Sequence, residues 1–156
     1  MMEISYLADY PEFIDTLAPW VFAHWQPILG DVSPAARVAK FRTHLNKASL
    51  PIALVAHDKD EVFGTASLRV HDLPGREDLS PWLGGVFVGE EYRGQGIGRR
   101  LCAAVEDKAK AMFPGQMLYL FTLDRQQWYQ DQGWSLREAC SWCGRDGVIM
   151  DKRLSC

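Results

Sequence analysis

No apolar run in this chain approaches the roughly 18 residues of a membrane span, so none of it reads as a transmembrane helix. The opening, MMEISYLADYPEF, places no basic segment ahead of an apolar one, so a secretory leader is not expected and a cytoplasmic location is. Cysteine is scarce: four residues, three of them in the last 17, which is no extracellular disulfide framework. A basic excess is missing too. With a net charge of −3 the chain lacks the face that general nucleic-acid binding needs to neutralise phosphates. It has no internal repeat, no low-complexity tract and no long linker, so residues 1–156 read as a single domain. With 47% hydrophobic and 24% charged residues, a buried core is expected rather than disorder.

What is present has an ordered pattern. Met2–Leu7 alternates as a short strand, and Asp9 with Glu12 has the spacing of a capping box ahead of an apolar stripe at Phe13, Ile14, Leu17 and Val21. Pro19 is expected to kink or break that helix. Ser33-Pro34 opens a second helix, with Val38, Phe41 and Leu45 as its stripe. IALVAH (52–57) and VFGTASLRVH (62–71) form a hairpin, and a polar loop follows over 72–81. WLGGVFVG (82–89) is a strand in which Gly84-Gly85 marks either a bulge or a close-packing position. A helix runs from Ile97 to about Met112, MLYLFT (117–122) is a buried strand, and Asp124 with Gln127 can cap a short helix ended by Gly133. The last two strands flank Gly144-Arg-Asp-Gly147, an Asp-Gly hairpin signal. The order β-α-α-β-β-β-α-β-α-β-β gives an α/β (α+β) layer fold of mixed strand direction.

The densest signal is GGVFVGEEYRGQGIGRRL (84–101), a strand, a glycine loop and a helix. Glycines at 94, 96 and 98 let the backbone turn tightly and approach a ligand. The first-turn amides of the helix lack intrahelical partners and carry the positive end of its dipole, so they form an anion cradle. Arg93, Arg99 and Arg100 add full charges. A dinucleotide fingerprint needs a glycine where Arg99 stands, and a phosphate loop needs a G-K-S/T tripeptide that this chain lacks. A nucleotide-phosphate enzyme is therefore a weak reading.

R-G-Q-G-I-G resembles motif A of the GCN5-related N-acetyltransferase (GNAT) family, Q/R-x-x-G-x-G/A, with Arg93, Gly96 and Gly98 matching by position. VFVGEEYRG is similar to the family's strand-to-loop segment, with Gly89 in the usual proline position. DRQQWYQDQGW is similar to its F-Y…G-F element, with Trp128 for Phe, Tyr129 kept and Gly133-Trp134 for Gly-Phe. The resemblance covers most of residues 2–154 and is weakest over the first fifty. It implies a GNAT fold: a central, mixed, mostly antiparallel sheet of about 6–7 strands flanked by about four helices, with the fourth and fifth strands splayed. It further implies that the backbone of Phe87 and Val88 pairs with the pantetheine of acetyl-CoA, and that the Val88 amide polarises the thioester carbonyl. The pyrophosphate would lie on the segment Arg93, Gly94, Gln95, Gly96, Ile97, Gly98 and Arg99. Tyr129 matches the family's general acid near the departing sulfur, and a phenol is protonated at neutral pH.

The implied reaction is direct acetyl transfer from acetyl-CoA, with no metal, to a primary amine on a small molecule or a peptide N-terminus. Dimers are common in the family, which leaves a homodimer open; nucleic acid and membrane are not expected as partners. No base stands out, because the fourth strand carries no acid. His71, Asp72, Glu77, Asp78, Glu90 and Glu91 lie around it and remain alternatives, as acids or as attractors of a cationic amine. That missing acid also keeps open a non-catalytic acyl-CoA-binding sensor. Cys140-Ser-Trp-Cys143 lacks the further ligands of a zinc site and the helix of a redox motif, so packing is the expected role of the pair.

Overall fold

A continuous apolar run forms strand β2 (Ile52–His57), which packs on both faces, with every one of its residues buried. The computed structural model describes residues 2–30 and 33–155. Strand β1 (Glu3–Tyr6) leads through two short 3-10 turns to helices α1 (Ile14–Leu29) and α2 (Pro34–Arg42). After β2 come β3 (Val62–Arg69) and β4 (Trp82–Val88), then helix α3 (Ile97–Met112) and strand β5 (Met117–Thr122). Helix α4 (Gln126–Gln130) and the hairpin β6 (Ser135–Trp142) and β7 (Arg145–Arg153) complete the order. The seven strands among the described residues form one sheet in the order β1-β2-β3-β4-β5-β7-β6. All neighbours are antiparallel except β4 and β5, which run parallel and pair only at Trp82 and Tyr119. Beyond that point the two strands splay apart.

The strand period of two sorts the core into layers. Ala53 and Val55 face α1 with Leu7, Phe13, Ile14 and Leu17. Ile52, Leu54 and Ala56 face the other way, onto Leu101, Cys102, Val105 and Ala109 of α3. Leu118 and Leu120 of β5 join that second layer, so α3 bridges the splay from one side. A third cluster gathers Leu73, Leu79, Trp82 and Ile149 below the single paired position.

The expected bulge is present. Thr65 pairs with Phe87 while Ser67 pairs with Gly84, so β4 carries one extra residue there. Gly85 takes φ +61°, a left-handed conformation that favours glycine. The extra residue resets the alternation: Leu83 faces the α3 layer, and beyond the bulge it is Val86 and Val88 that do so. Phe87 is thereby turned toward α1, against Trp20 and His24.

Four local expectations are corrected. Asp9 caps no α-helix; α1 starts at Ile14 without a side-chain cap, and the Asp9 carboxylate instead pairs with Lys47. The helix passes Pro19 and Pro27 unbroken, its first turns held by buried Ile14, Leu17 and Ala18. Nor does Asp124 cap α4, which starts without a side-chain cap; the Thr122 hydroxyl accepts the Arg125 amide at 3.0 Å just ahead of it. The last turn is Cys143-Gly144, with φ +52° and +74°, not Asp146-Gly147. Packing sets that register: a Cβ on Gly147 would lie 2.6 Å from the Phe121 ring, so Gly147 belongs in β7 against it. Ser33 does cap α2, accepting the Ala36 amide at 3.0 Å.

Candidate functional site

The segment joining β4 to α3 is tied down at its start and open at its end. The Gly89 amide donates to the Phe63 carbonyl at 2.8 Å, and the Tyr92 ring packs tilted against Phe63 with its hydroxyl donating to Glu61 at 3.3 Å. Gly89 takes the place of the expected proline for a steric reason. A Cβ there would meet the Trp20 ring at 2.8 Å, a contact no sequence pattern shows. Arg93 turns back over the strand, its Nε donating to the Val88 carbonyl at 3.0 Å and its guanidinium 5.4 Å above the Phe87 ring.

The loop then rises through Gly94 and Gly96, both at φ +80°, with open space where a Cβ would point. Gly96 precedes α3 and offers no side-chain cap, so the amides of Ile97, Gly98 and Arg99 are unclaimed by any side chain of their own cap. Ile97 buries its side chain in the core and anchors the first turn, leaving only its backbone available to a ligand. Gly98 faces the Trp128 ring of α4, 3.2 Å from where a Cβ would be. Gln95, Arg99 and Arg100 are exposed. A cleft of about 510 Å³ opens beside the loop, between Phe63, Tyr92, Gln95 and Arg100.

At the splay, Val88 has its amide on the open side. The Gly89 amide points to β3, so the alternation of an antiparallel ladder turns the Val88 amide the other way, toward the gap before β5. Tyr129 stands in the α3 layer beside Cys102, edge-on to Trp128 and Trp134. Burial raises its phenol well above the ordinary range, with Cys102 next and Arg125 opposing, so the hydroxyl keeps its proton throughout neutral pH. Burial also pushes the Cys102 thiol up to about 12, which makes it an inert core group.

Of the six candidate bases, the structure brings one to the β4 bulge. Asp72 lies against Gly84, where a Cβ would meet its carboxylate at 2.7 Å, and it accepts from Arg69 at 2.6 Å. Asp78 is bound by Arg76, which also reaches Glu138 on β6, and Glu77 accepts the Gly75 amide. His71, Glu90 and Glu91 are exposed on the surface. Cys140 packs beside the third core cluster, whereas Cys143 is exposed in the turn, so packing accounts for the first and not for the second.

His24 escaped the sequence reading. It lies on α1 with its ring 5.6 Å from Phe87, and burial, then Arg93, lowers its pKa while Asp124 opposes. Its imidazole is therefore uncharged at neutral pH. No spacing marks His24, because it falls outside the apolar stripe of α1 and meets β4 only through the fold. Trp25 beside it reaches Trp142 of β6 at 5.5 Å, joining the two halves of the sheet on the α1 face.

A family model described as an acetyltransferase (GNAT) domain matches residues 50–136, more than half of the chain. Among solved structures, an aminoglycoside 6'-acetyltransferase type Ii superposes with a TM-score of 0.75 at 22% identity, each chain covered to 97%. An aminoglycoside 6'-N-acetyltransferase complexed with coenzyme A gives 0.75 at 19% identity, again with 97% of each chain. A putative acetyltransferase from Salmonella typhimurium, with acetyl-CoA as its cofactor, gives 0.69 at 17%, over 99% of this chain and 94% of that one. No helix among the described residues is long and apolar enough to cross a membrane.

Proposed function

The chain belongs to the GNAT acetyltransferase family, and from that premise we propose that it transfers the acetyl group of acetyl-CoA directly to a primary amine. The observation that carries this reading is the uncapped glycine loop of α3 opening beside a β4–β5 pair that separates after one paired position. These residues fit a diphosphate-bearing thioester: positive-φ glycines leave space at Gly94 and Gly96, and Arg99 lies within the first turn. Acetyl-CoA supplies, when bound, an acetyl group activated as a thioester. The amides from Gly94 to Arg99 hold its pyrophosphate, and the open edge of β4 at Phe87 and Val88 takes the pantetheine arm, with Val88 turning its backbone toward it and Phe87 keeping its own paired to β3. The Val88 amide then donates to the thioester oxygen, a donor that gains strength as charge develops there.

Two proton tasks remain, and they fall to different faces. Tyr129, fully protonated, donates toward the departing sulfur. His24, uncharged on the α1 face, receives the proton that an incoming ammonium must lose. Turnover should therefore fall as pH drops through a value below 6.5, and that acid limb should move in His24→Gln.

The test is a mass-spectrometric screen of the purified protein with acetyl-CoA against polyamines, amino acids, aminoglycosides and peptides with free N-termini. An acetylated amine dependent on the protein supports the proposal. Acetyl-CoA bound and intact, with no product from any amine, contradicts it and favours a non-catalytic acyl-CoA sensor.

A further inference from the structure

On the sheet face opposite α3, a cavity of about 30 Å³ lies between α1, α2 and the β4 bulge. That is room for about two waters or one carboxylate. Val21 and Phe41 supply its apolar wall, and Arg37, Lys40, His44 and Arg69 its polar one, with Gly85 of the bulge also in the lining.

The polar wall is strongly cationic. Arg37 and Lys40 stand three residues apart on α2 and so share a face. Arg69 comes from β3 and packs over the bulge so closely that a Cβ on Gly85 would fall 2.5 Å from its Nη2. His44 contributes no charge. Its Nε2 accepts from Arg69 Nε at 3.0 Å and its Nδ1 donates to the Lys40 carbonyl at 2.8 Å, an arrangement only the neutral ring satisfies. Burial, then Arg69, lowers it to about 4. Asp72 is the acid that faces this group, and Arg69 binds it. Among the described residues no carboxylate pairs with Arg37 or Lys40. Desolvation followed by Arg69 lowers the pKa of both, although Lys40 as a residue remains exposed. Three cations around one partly desolvated cavity, with one carboxylate, leave an excess of positive charge that an anionic group would relieve.

We propose that this cavity is a subsite for an oxyanion of the acceptor: the amine acetylated here carries a carboxylate or phosphate on a spacer. The inference rests on the amine-acetyltransferase reading above and narrows it. Gly85 and Val88 are three residues apart on β4, about 10 Å at a strand's rise per residue. An anion at the cavity and an amine at Val88 are therefore separated by several bonds, as in an ω-amino acid and not in an α-amino acid. A polycationic amine would meet repulsion at the same place.

Three probes of matched length test this: 6-aminohexanoate, its uncharged amide and 1,6-diaminohexane, each with acetyl-CoA at low ionic strength. The expected kcat/KM order is acid, amide, diamine, with the acid roughly tenfold above the amide and the gap narrowing as salt screens it. In an R37Q/K40Q double variant the acid-to-amide ratio should fall toward one. Equal values for acid and amide in the parent protein, or a preference for the diamine, overturn the proposal while leaving amine acetylation intact. If none of the three is acetylated, calorimetry with 6-aminohexanoate on the CoA-saturated protein decides. Carboxylate-dependent binding that the double variant loses upholds the subsite though the transferase reading fails; no such binding overturns it.

Discussion

Helices α3 and α2 flank the same sheet on opposite faces and are held by different physics. Helix α3 has 16 residues, and Ile97, Leu101, Cys102, Val105 and Ala109 are buried along it. Helix α2 has nine and buries none of them; Val38 and Phe41 are only half-covered. What fixes α2 is polar: the Ser33 cap, the His44 ring joining the Lys40 carbonyl to Arg69, and Asn46 donating to the Thr43 and Pro51 carbonyls. The α3 face is a densely packed platform on which the proposed acetyl-CoA site is built. The α2 face is lightly packed, and its contacts are mostly polar.

Substitutions should separate the two faces. The largest effect is expected at the α3 core. Leu101→Ala removes a fully buried side chain and should cost about 2–5 kcal/mol in denaturant unfolding, whereas Val38→Ala on α2 should cost about 1 kcal/mol or less. Equal costs would erase the contrast.

Acid should act first through the α2 face. His44 is neutral in the fold, with its pKa lowered from 6.5 to about 4, so the unfolded chain takes up a proton in that window and the native state does not. Stability is therefore full above pH 6.5 and falls as pH drops toward 4, by as much as roughly 3 kcal/mol. Unfolding at pH 7.5 and pH 5 should show the larger part of this loss, about 2 kcal/mol, in the parent protein and much less of it in His44→Gln. On the other face, Tyr129→Phe should lower turnover about 10²-fold with acetyl-CoA affinity nearly unchanged. A parallel loss of affinity would make the residue a packing group only. The smallest effect belongs to Ser33→Ala, about 1 kcal/mol, read as faster amide exchange within α2 and not in α3.

The difference between the faces also explains what the sequence made legible. Strands β2 and β5 and helix α3 coincide with the apolar periods residue for residue, because each is stabilised by the stripe that reveals it. The glycine loop was legible because it takes a left-handed backbone conformation that glycine supplies. The splay was expected from the family resemblance, and Gly84-Gly85 marked the bulge that lies beside it. Contacts between distant residues were not legible. Trp20 over Gly89, Phe121 against Gly147, and His24 on Phe87 leave no local period. The two failed capping assignments share one feature: Asp9 and Asp124 have the right spacing, but Asp9 pairs with Lys47 and both α1 and α4 start without a side-chain cap. Arg37, Lys40 and Arg69 look like scattered surface charges in the chain, and only the fold brings them to one cavity.

The division of labour between the faces is tested most directly by amide hydrogen exchange with and without acetyl-CoA. Acetyl-CoA should slow exchange at the amides of Val88 and of Gly94 through Arg99, while α2 and the His44–Arg69 network exchange as before. Protection centred on α2, or none at the glycine loop, would contradict the account.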